Sequence, residues 1–202
     1  MTFEQIKERL GNKTVGIAGC GGLGSNCAVA LARVGIGSLI IADFDVVSES
    51  NLNRQYYFYS QIGMKKVAAL KENIFLINPK IKIISYECKL DGNNIKQIFK
   101  NCDIIIEAFD LADQKEMLIE TVLSEMPEKY LVVGIGMAGW GKNDLIHIRN
   151  IDKMFICGDE VSEIDPELPA IAPRVGIVAN MQANTALEIL LGGEDKRRNK
   201  EN

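Results

Sequence analysis

The sequence lacks any apolar run that approaches the ~20 residues needed to cross a membrane. Its first ten residues also lack the long apolar stretch of a signal peptide. An excess of positive charge is missing as well, since 23 Lys and Arg stand against 27 Asp and Glu, which gives a net charge of −4. We therefore expect a cytoplasmic protein without membrane attachment, and the missing basic field argues against a nucleic-acid partner.

Patterns that bind metals or form disulfides are also missing. The five cysteines, an odd number, include no Cys-x-x-Cys pair, which argues against a disulfide framework and against a four-thiolate zinc site. The single histidine, His147, alternates with isoleucines in a predicted strand, so we interpret it as a half-exposed strand residue without a catalytic role. We expect reduced thiols and no zinc.

The remaining composition is that of a folded domain, with 47% hydrophobic and 25% charged residues. Short apolar strands alternate with segments of helical period, which predicts a Rossmann-like α/β fold: a doubly wound, mostly parallel sheet with helices on both faces. A hairpin after residue 141 predicts an antiparallel extension of this sheet. We expect one domain, residues 1–193, followed by a charged, disordered tail, residues 194–202. The predicted strands are 14–18, 38–42, 81–86, 103–106, 130–133, 144–149 and 153–156, and the predicted helices are 23–34, 61–77, 94–100, 112–125 and a last one from 173 to a stop at 192–193.

A glycine-rich segment, Gly19-Cys20-Gly21-Gly22-Leu23-Gly24, joins the first predicted strand to the helix that follows it. Glycines in this position let the backbone turn tightly and approach a phosphate, while free N–H groups at the helix N-terminus attract the anion. The alternative is a strand-to-helix turn in which glycine serves packing alone. We interpret the segment as a nucleotide-binding loop, which by itself most often indicates a dinucleotide.

Two carboxylates, Asp43 and Asp45, follow the next predicted strand, about 20 residues past the glycines. A carboxylate in this position grips the two hydroxyls of a ribose, and Asp43 is our candidate for this role. Asp45 either belongs to the same site or caps the following loop, and a turn-forming Asp is the alternative for both. These features fit a dehydrogenase equally well.

Two cations, Arg54 and Lys66, follow the aspartates and are not expected in a dehydrogenase. A nicotinamide ring needs an apolar slot, whereas a triphosphate needs a forked guanidinium and an ammonium. Either residue alone is equally consistent with an exposed, solvated side chain. The combination favours a nucleoside triphosphate.

A third carboxylate, Asp110, follows the predicted strand 103–106, at the sheet edge where ligands of open α/β sheets bind. A carboxylate that faces a polyphosphate needs a cation between them, so Asp110 is our candidate Mg²⁺ ligand. The alternative is that Asp110 caps the helix that follows.

Several motifs occur in a fixed order along almost the whole chain. They are Gly19-x-Gly-Gly-Leu-Gly24, Asp43-Phe-Asp45, Ser50-Asn51-Leu-Asn-Arg54-Gln55, Gly63-x-x-Lys66-Val67, Phe109-Asp110, Ala172-Pro173-Arg174-Val175-Gly176 and Gln182-Ala183. This series resembles the ThiF and molybdopterin-synthase adenylylating family, relatives of the ubiquitin-activating enzymes. Within it, the chain is similar to the short ThiF-like proteins, the sulfur carrier protein adenylyltransferases of thiamine biosynthesis.

The resemblance implies a homodimer that uses ATP and Mg²⁺ to adenylate the C-terminal Gly-Gly carboxylate of a small ubiquitin-like sulfur carrier protein, with release of pyrophosphate. It implies that Asp43 holds the ribose, that Asp110 holds the magnesium, and that Asn51, Arg54 and Lys66 hold the phosphates. It also places Gln55 and Leu23 in the nucleotide-binding motifs. A carboxylate nucleophile is already ionised at pH 7, so this chemistry needs alignment and charge neutralisation rather than a general base. The small residues of segment 134–141 leave room for an extended glycine tail, or form a flexible rim loop.

Three features of the family pattern are not found in this sequence. The longer relatives bind zinc through two Cys-x-x-Cys pairs, and only Cys157 lies in the corresponding half. We see no counterpart of the arginine-rich segment that crosses the dimer in those relatives, and Arg9 is a weak substitute. Some relatives form a covalent carrier intermediate on a cysteine, but Asp159 and Glu160 beside Cys157 disfavour a thiolate there.

Three other functions stay open. One is adenylation of a small-molecule or tRNA-borne carboxylate. Another is a non-catalytic, nucleotide-binding module that docks a carrier. The last, an NAD-dependent oxidoreductase, is disfavoured by Arg54, Lys66 and Asp110 together.

Overall fold

The computed structural model describes residues 1–192, so the expectation for the tail, 194–202, lies outside the described residues. Helices and strands alternate along this part of the chain. The helices are α1 (Phe3–Leu10), α2 (Gly22–Val34), α3 (Lys66–Ile77), α4 (Gly92–Phe99), α5 (Ala112–Glu125) and α6 (Ala172–Leu190), and the strands are β1 (Thr14–Ala18), β2 (Ser38–Ala42), β3 (Lys82–Tyr86), β4 (Ile104–Glu107), β5 (Tyr130–Gly134), β6 (His147–Ile151) and β7 (Met154–Gly158).

The strands form one seven-stranded sheet in the order β3-β2-β1-β4-β5-β7-β6. Every pairing is parallel except that of β6 with β7, which adds β6 as an antiparallel edge strand. This confirms the predicted fold class, including the antiparallel extension. The chain changes direction across the sheet between β1 and β4, and open sheets of this kind bind ligands in the crevice at such a point.

The helices cover both faces of the sheet, because each central strand sends alternate apolar side chains to opposite sides. In β4, Ile104 and Ile106 join the core beneath α2, α3 and α6, whereas Ile105 joins the core beneath α4 and α5. All three isoleucines are fully buried. The near-continuous apolar runs of the sequence are therefore strands that are covered on both sides.

Two elements start three or more residues away from the predicted position. Helix α3 begins at Lys66 rather than at 61, because residues Tyr59–Gln61 form a 3-10 turn and Gly63 has a left-handed backbone (φ 87°). Strand β6 begins at His147 rather than at 144, because Asn143–Leu145 is another 3-10 turn.

Helix α1 is not predicted by the apolar pattern. It has a capping box, in which the Thr2 hydroxyl accepts the Gln5 N–H and the Gln5 side chain accepts the Thr2 N–H.

Among the residues that the structure describes, no helix is long and apolar enough to cross a membrane.

Candidate functional site

A cavity of about 1250 Å³ opens at the carboxyl edge of the parallel strands, over the point where the chain changes direction. Gly24 and Asn51, of the residues that the sequence analysis proposes for the site, do not line it. The cavity brings together Gly19, Gly21, Gly22, Leu23, Asp43, Asp45, Arg54, Gln55, Lys66 and Asp110.

The glycine loop is tightly packed against the sheet. Gly19 has a left-handed backbone (φ 99°), and a Cβ on Gly24 would lie 1.9 Å from the Gly19 carbonyl oxygen. Gly24 therefore serves the close approach of helix and strand. Helix α2 starts after Gly21 with no side-chain cap, so its first N–H groups are free to face an anion in the cavity.

Asp43 is held in a fixed orientation beside this loop. One carboxylate oxygen accepts the Cys20 N–H at 2.6 Å, and the other accepts the Asp45 N–H at 2.8 Å. The side chain is half-buried and lines the cavity. An oriented carboxylate with spare lone pairs is suited to accept hydrogen bonds from a diol.

Lys66, the first residue of α3, is a buried cation at the cavity wall. Its side chain is 8% exposed, and its ammonium contacts the Asp45 carboxylate at 2.8 Å. Asp45 thus pairs with Lys66 instead of capping its own loop. Tyr57, which the sequence analysis misses, fixes the position of the glycine loop here, because its buried hydroxyl donates to the Cys20 carbonyl at 2.7 Å.

Arg54 lies across the mouth of the glycine loop, with its aliphatic stem near Gly22. Its Nη1 donates to the Ser50 carbonyl at 3.2 Å and to Asn53 Oδ1 at 2.8 Å, whereas Nε and Nη2 bind no other described residue. Asn26 in α2 joins the two segments, because its amide donates to the carbonyls of both Gly22 and Arg54. The arginine and the glycine loop therefore form one unit.

Two neighbours of Arg54 have different surroundings. Gln55 is 8% exposed and lines the cavity, and its buried Oε1 has no hydrogen-bond partner among the described residues. An unpaired buried acceptor of this kind is costly unless a ligand supplies a donor. Asn51 instead accepts the Ser48 N–H at 3.0 Å and closes a 3-10 turn away from the cavity. Its contact with a phosphate stays a prediction.

Asp110 is an exposed carboxylate on the opposite wall. It makes no hydrogen bond or ion pair with another residue of the described chain. The alternative that it caps the next helix is wrong, since the N-cap of α5 is Leu111 and no side chain caps that helix. Asp110 is therefore free to bind a ligand.

A buried ion pair, which no sequence pattern predicts, lies at the end of β4. Glu107, the last residue of β4, is fully buried, and its carboxylate accepts the Lys115 ammonium and the Phe109 N–H (2.7 Å). Lys115 also donates to the Gly134 carbonyl at 2.9 Å. Burial raises the pKa of Glu107, and the attraction of Lys115 opposes this rise.

A second buried ion pair, also missed, anchors the far wall. Arg174 in α6 donates to the Asp159 carboxylate at 2.5 Å and to the Gly141 carbonyl. Burial acts to raise the pKa of Asp159, but the N–H groups of Ser162 and Val161, together with Arg174, lower it to about 2. The pair therefore ties the loops after β5 and β7 to α6.

The remaining candidate nucleophiles do not form a site. Cys157 is buried, and burial raises the pKa of its thiol to about 11, so the thiolate is rare at pH 7. His147 is exposed, bonds to Glu160 at 3.0 Å and does not line the cavity, and Arg9 on α1 does not line it either. Within residues 1–192, no three His, Cys, Asp or Glu side chains group as metal ligands.

The fold and the cavity define a doubly wound α/β protein whose candidate ligand site is a glycine-rich turn flanked by cations and carboxylates. The chain belongs to the ThiF family, whose family model matches residues 2–202. This confirms the family expected from the motifs.

Curated relatives carry related names. The adenylyltransferase and sulfurtransferase UBA4 of Vanderwaltozyma polyspora is 28% identical over 190 residues, which are 90% of this chain and 43% of that protein. The probable adenylyltransferase/sulfurtransferase MoeZ of Mycobacterium tuberculosis is 38% identical over 105 residues, 52% of this chain and 27% of that protein. The chain thus spans less than half the length of these relatives.

Solved structures share the fold. The E. coli tRNA N6-threonylcarbamoyladenosine dehydratase TcdA, solved with AMP, matches with a TM-score of 0.85 and 20% identity over 96% of this chain and 92% of that chain. E. coli MccB, solved with MccA-N7isoASN, matches with a TM-score of 0.71 and 21% identity over 93% of this chain and 59% of that chain. Both support the Rossmann-like assignment.

Proposed function

We propose that this protein is an adenylyltransferase that uses ATP and Mg²⁺ to activate the C-terminal Gly-Gly carboxylate of a small, ThiS-like sulfur carrier protein. The observation that carries this proposal is the convergence of Arg54, Lys66 and Asp110 on one cavity beside the glycine loop. A guanidinium, an ammonium and an unpaired carboxylate suit a metal-bound triphosphate better than a nicotinamide. The names of the curated relatives agree with this class of reaction.

The residues present fit a bound nucleotide. Asp43 accepts the ribose hydroxyls, the free N–H groups at the start of α2 face the phosphates, and the unpaired Gln55 oxygen is available to a donor of the ligand. Lys66 exchanges its contact with the half-exposed Asp45 for a phosphate oxygen. The spare donors of Arg54, on Nε and Nη2, are available to another phosphate oxygen.

The proposed reaction is a nucleotidyl transfer. A carboxylate oxygen of the carrier attacks the α-phosphorus, the bond between the α-phosphorus and the bridging oxygen breaks, and pyrophosphate leaves with that oxygen. Mg²⁺, when bound, neutralises charge on the phosphates, and Asp110 is the residue that would hold it. Mg²⁺ keeps several waters and needs only one or two protein carboxylates, so a single Asp110 suffices.

The acceptor side of the cavity suits an extended backbone. Gly134, Ile135, Gly136 and Met137 line it after β5. A Cβ on Gly136 would lie 1.9 Å from Asp159, so the backbone of this segment packs closely against Asp159. A Gly-Gly tail has no side chain that would clash in such a channel.

The proposed assembly is a homodimer, which rests on the family resemblance. We also propose one catalytic domain, residues 1–193. Light scattering of the purified protein tests the homodimer, and limited proteolysis with mass spectrometry of the fragments tests the domain boundary.

Carrier-dependent ATP–pyrophosphate exchange tests the activity. We expect Lys66→Ala and Asp110→Ala to lower the exchange rate at least about a hundredfold, since each removes a charge that stabilises the transferring phosphates. Asp113→Ala is the matched control, because Asp113 is an exposed carboxylate on α5 outside the cavity lining. His147→Ala should leave exchange unchanged. Circular dichroism checks that all variants are folded.

Each other result points to a different function. Exchange without carrier indicates a small-molecule acid as the acceptor. Exchange that depends on added tRNA indicates a tRNA-borne carboxylate, the alternative to which the TcdA fold likeness draws attention. ATP binding with no exchange under any condition indicates a carrier-docking module. Unchanged exchange in Asp110→Ala removes the magnesium assignment.

A further inference from the structure

The Lys115–Glu107 ion pair is unusual for its position. Buried pairs that serve only stability need no access to solvent, but Lys115 lines the cavity and keeps 17% of its side chain exposed, while Glu107 is fully enclosed. Lys115 lies in the first turn of α5, five residues after Asp110. The pair therefore presents its cationic partner to the cavity and hides its anionic partner.

The hydrogen bonds of the pair leave one donor unused. A lysine ammonium has three N–H groups. One goes to Glu107 and another to the Gly134 carbonyl at 2.9 Å, and no further acceptor for the third is found in residues 1–192. Both oxygens of the Glu107 carboxylate are already engaged, since they also accept the N–H groups of Phe109 and Gly134.

The remaining donor lies on the acceptor side of the cavity. Arg54 and Lys66 follow β2 in the sequence and reach the cavity from the glycine-loop side. Lys115 follows β4 and contacts Gly134, where the glycine-rich acceptor wall begins. We propose that Lys115 is the binding residue for the acceptor carboxylate: its third N–H holds one carboxylate oxygen while the other attacks the phosphate. This inference rests on the proposed function and adds the residue that recognises the free acid.

Changing the charge of the carrier's C-terminus tests the role of Lys115 directly. An ammonium binds a carboxylate more strongly than a neutral carboxamide, because a hydrogen bond between two charged groups is the stronger kind. The probe is a purified ThiS-like carrier ending in Gly-Gly, compared with the same carrier bearing a C-terminal carboxamide. Calorimetry with the non-reactive ATP analogue α,β-methylene-ATP measures both affinities without turnover. We expect the native protein to prefer the carboxylate by about tenfold.

The variants separate recognition from support of the fold. Lys115→Met alone leaves Glu107 buried without a partner, which is strongly destabilising. The double variant Glu107→Gln with Lys115→Met removes both charges, and we expect it to fold, to bind the ATP analogue normally and to lose the preference for the carboxylate. The single variant Glu107→Gln keeps the ammonium and should keep the preference. If the ion pair only supports the fold, the double variant and Glu107→Gln should show the same preference for the carboxylate.

The outcomes distinguish this inference from the proposed function. Equal affinity of the native protein for the two termini, including no binding of either, overturns the role of Lys115, as does a double variant that keeps the preference. If exchange occurs but the two termini bind with equal affinity, the proposed function stands and the proposed role of Lys115 does not. If the carboxylate is preferred but no exchange occurs, the role of Lys115 stands and the proposed function does not.

Discussion

The buried Arg174–Asp159 pair makes a quantitative prediction about acid stability. A pKa that falls from the ordinary 3.8 to about 2 on folding corresponds to about 2 kcal/mol of stability at pH 7. Asp159 is only 6% exposed, so solvent screening does not reduce this value appreciably. Because the folded-state pKa lies below the ordinary one, the contribution is fully present above about pH 5 and is lost as the pH falls through 3.8 toward 2. About half remains at pH 3.

The perturbation is Asp159→Asn, which removes the charge and leaves Arg174 buried without an ionic partner. At pH 7 we expect a loss of at least about 2 kcal/mol in the free energy of unfolding, or about 4–8 °C in Tm for a chain of this size. Urea unfolding of both proteins from pH 7 to pH 3 gives the difference between them. The pKa of Glu160 is also lowered, chiefly by its bonds to Arg149, so the difference rather than the absolute slope isolates Asp159. A difference that stays constant between pH 7 and pH 3 would refute the reasoning.

Three further predictions follow from single contacts. Gly24→Ala should prevent the glycine turn from forming and lower the yield of folded protein, whereas Gly176→Ala, in α6 with no atom within 4 Å of the new Cβ, should stabilise by about 0.5–1 kcal/mol in urea unfolding. Tyr57→Phe should cost about 1–3 kcal/mol, since it leaves the buried Cys20 carbonyl without its donor, and an unchanged unfolding midpoint would contradict this. The buried Cys157 thiol should resist iodoacetamide at pH 7 until urea is added, which mass spectrometry of the labelled peptides measures.

Local sequence patterns predict much of the fold. Strands β1 and β2 and helix α5 agree with the predicted boundaries residue for residue, because β-branched runs and a clear apolar period mark them. Helix α1 escapes the apolar pattern because its Phe3, Ile6 and Leu10 form one short stripe. The capping box at Thr2 and Gln5 is the signal that would have found it.

The candidate site is predictable only in part. Residues within three positions of the ends of parallel strands, such as Gly19, Asp43 and Asp110, meet at one edge by topology alone, so their convergence follows from the strand order. The partners of Lys115 and Arg174 depend on which charged residues are buried, and no spacing in the sequence reveals this. Asn51 shows the opposite problem, because a motif position points to a ligand while the folded chain uses the side chain to close a turn.

The strand order also divides the cavity wall into two separate stretches of sequence. Residues 19–90 supply the glycine-loop side, and residues 108–175 supply the side bounded by the loops after β4, β5 and β7. Under the proposed activity, the first stretch handles the nucleotide, and the second handles the acceptor apart from Asp110, which holds the magnesium. Substitutions in the loops after β5 and β7 can therefore alter which acid is activated without disturbing the nucleotide pocket, so a common scaffold is able to diversify by exchanging loops. An engineer seeking a new acceptor would graft residues 134–141 and 158–168 and leave the glycine turn untouched.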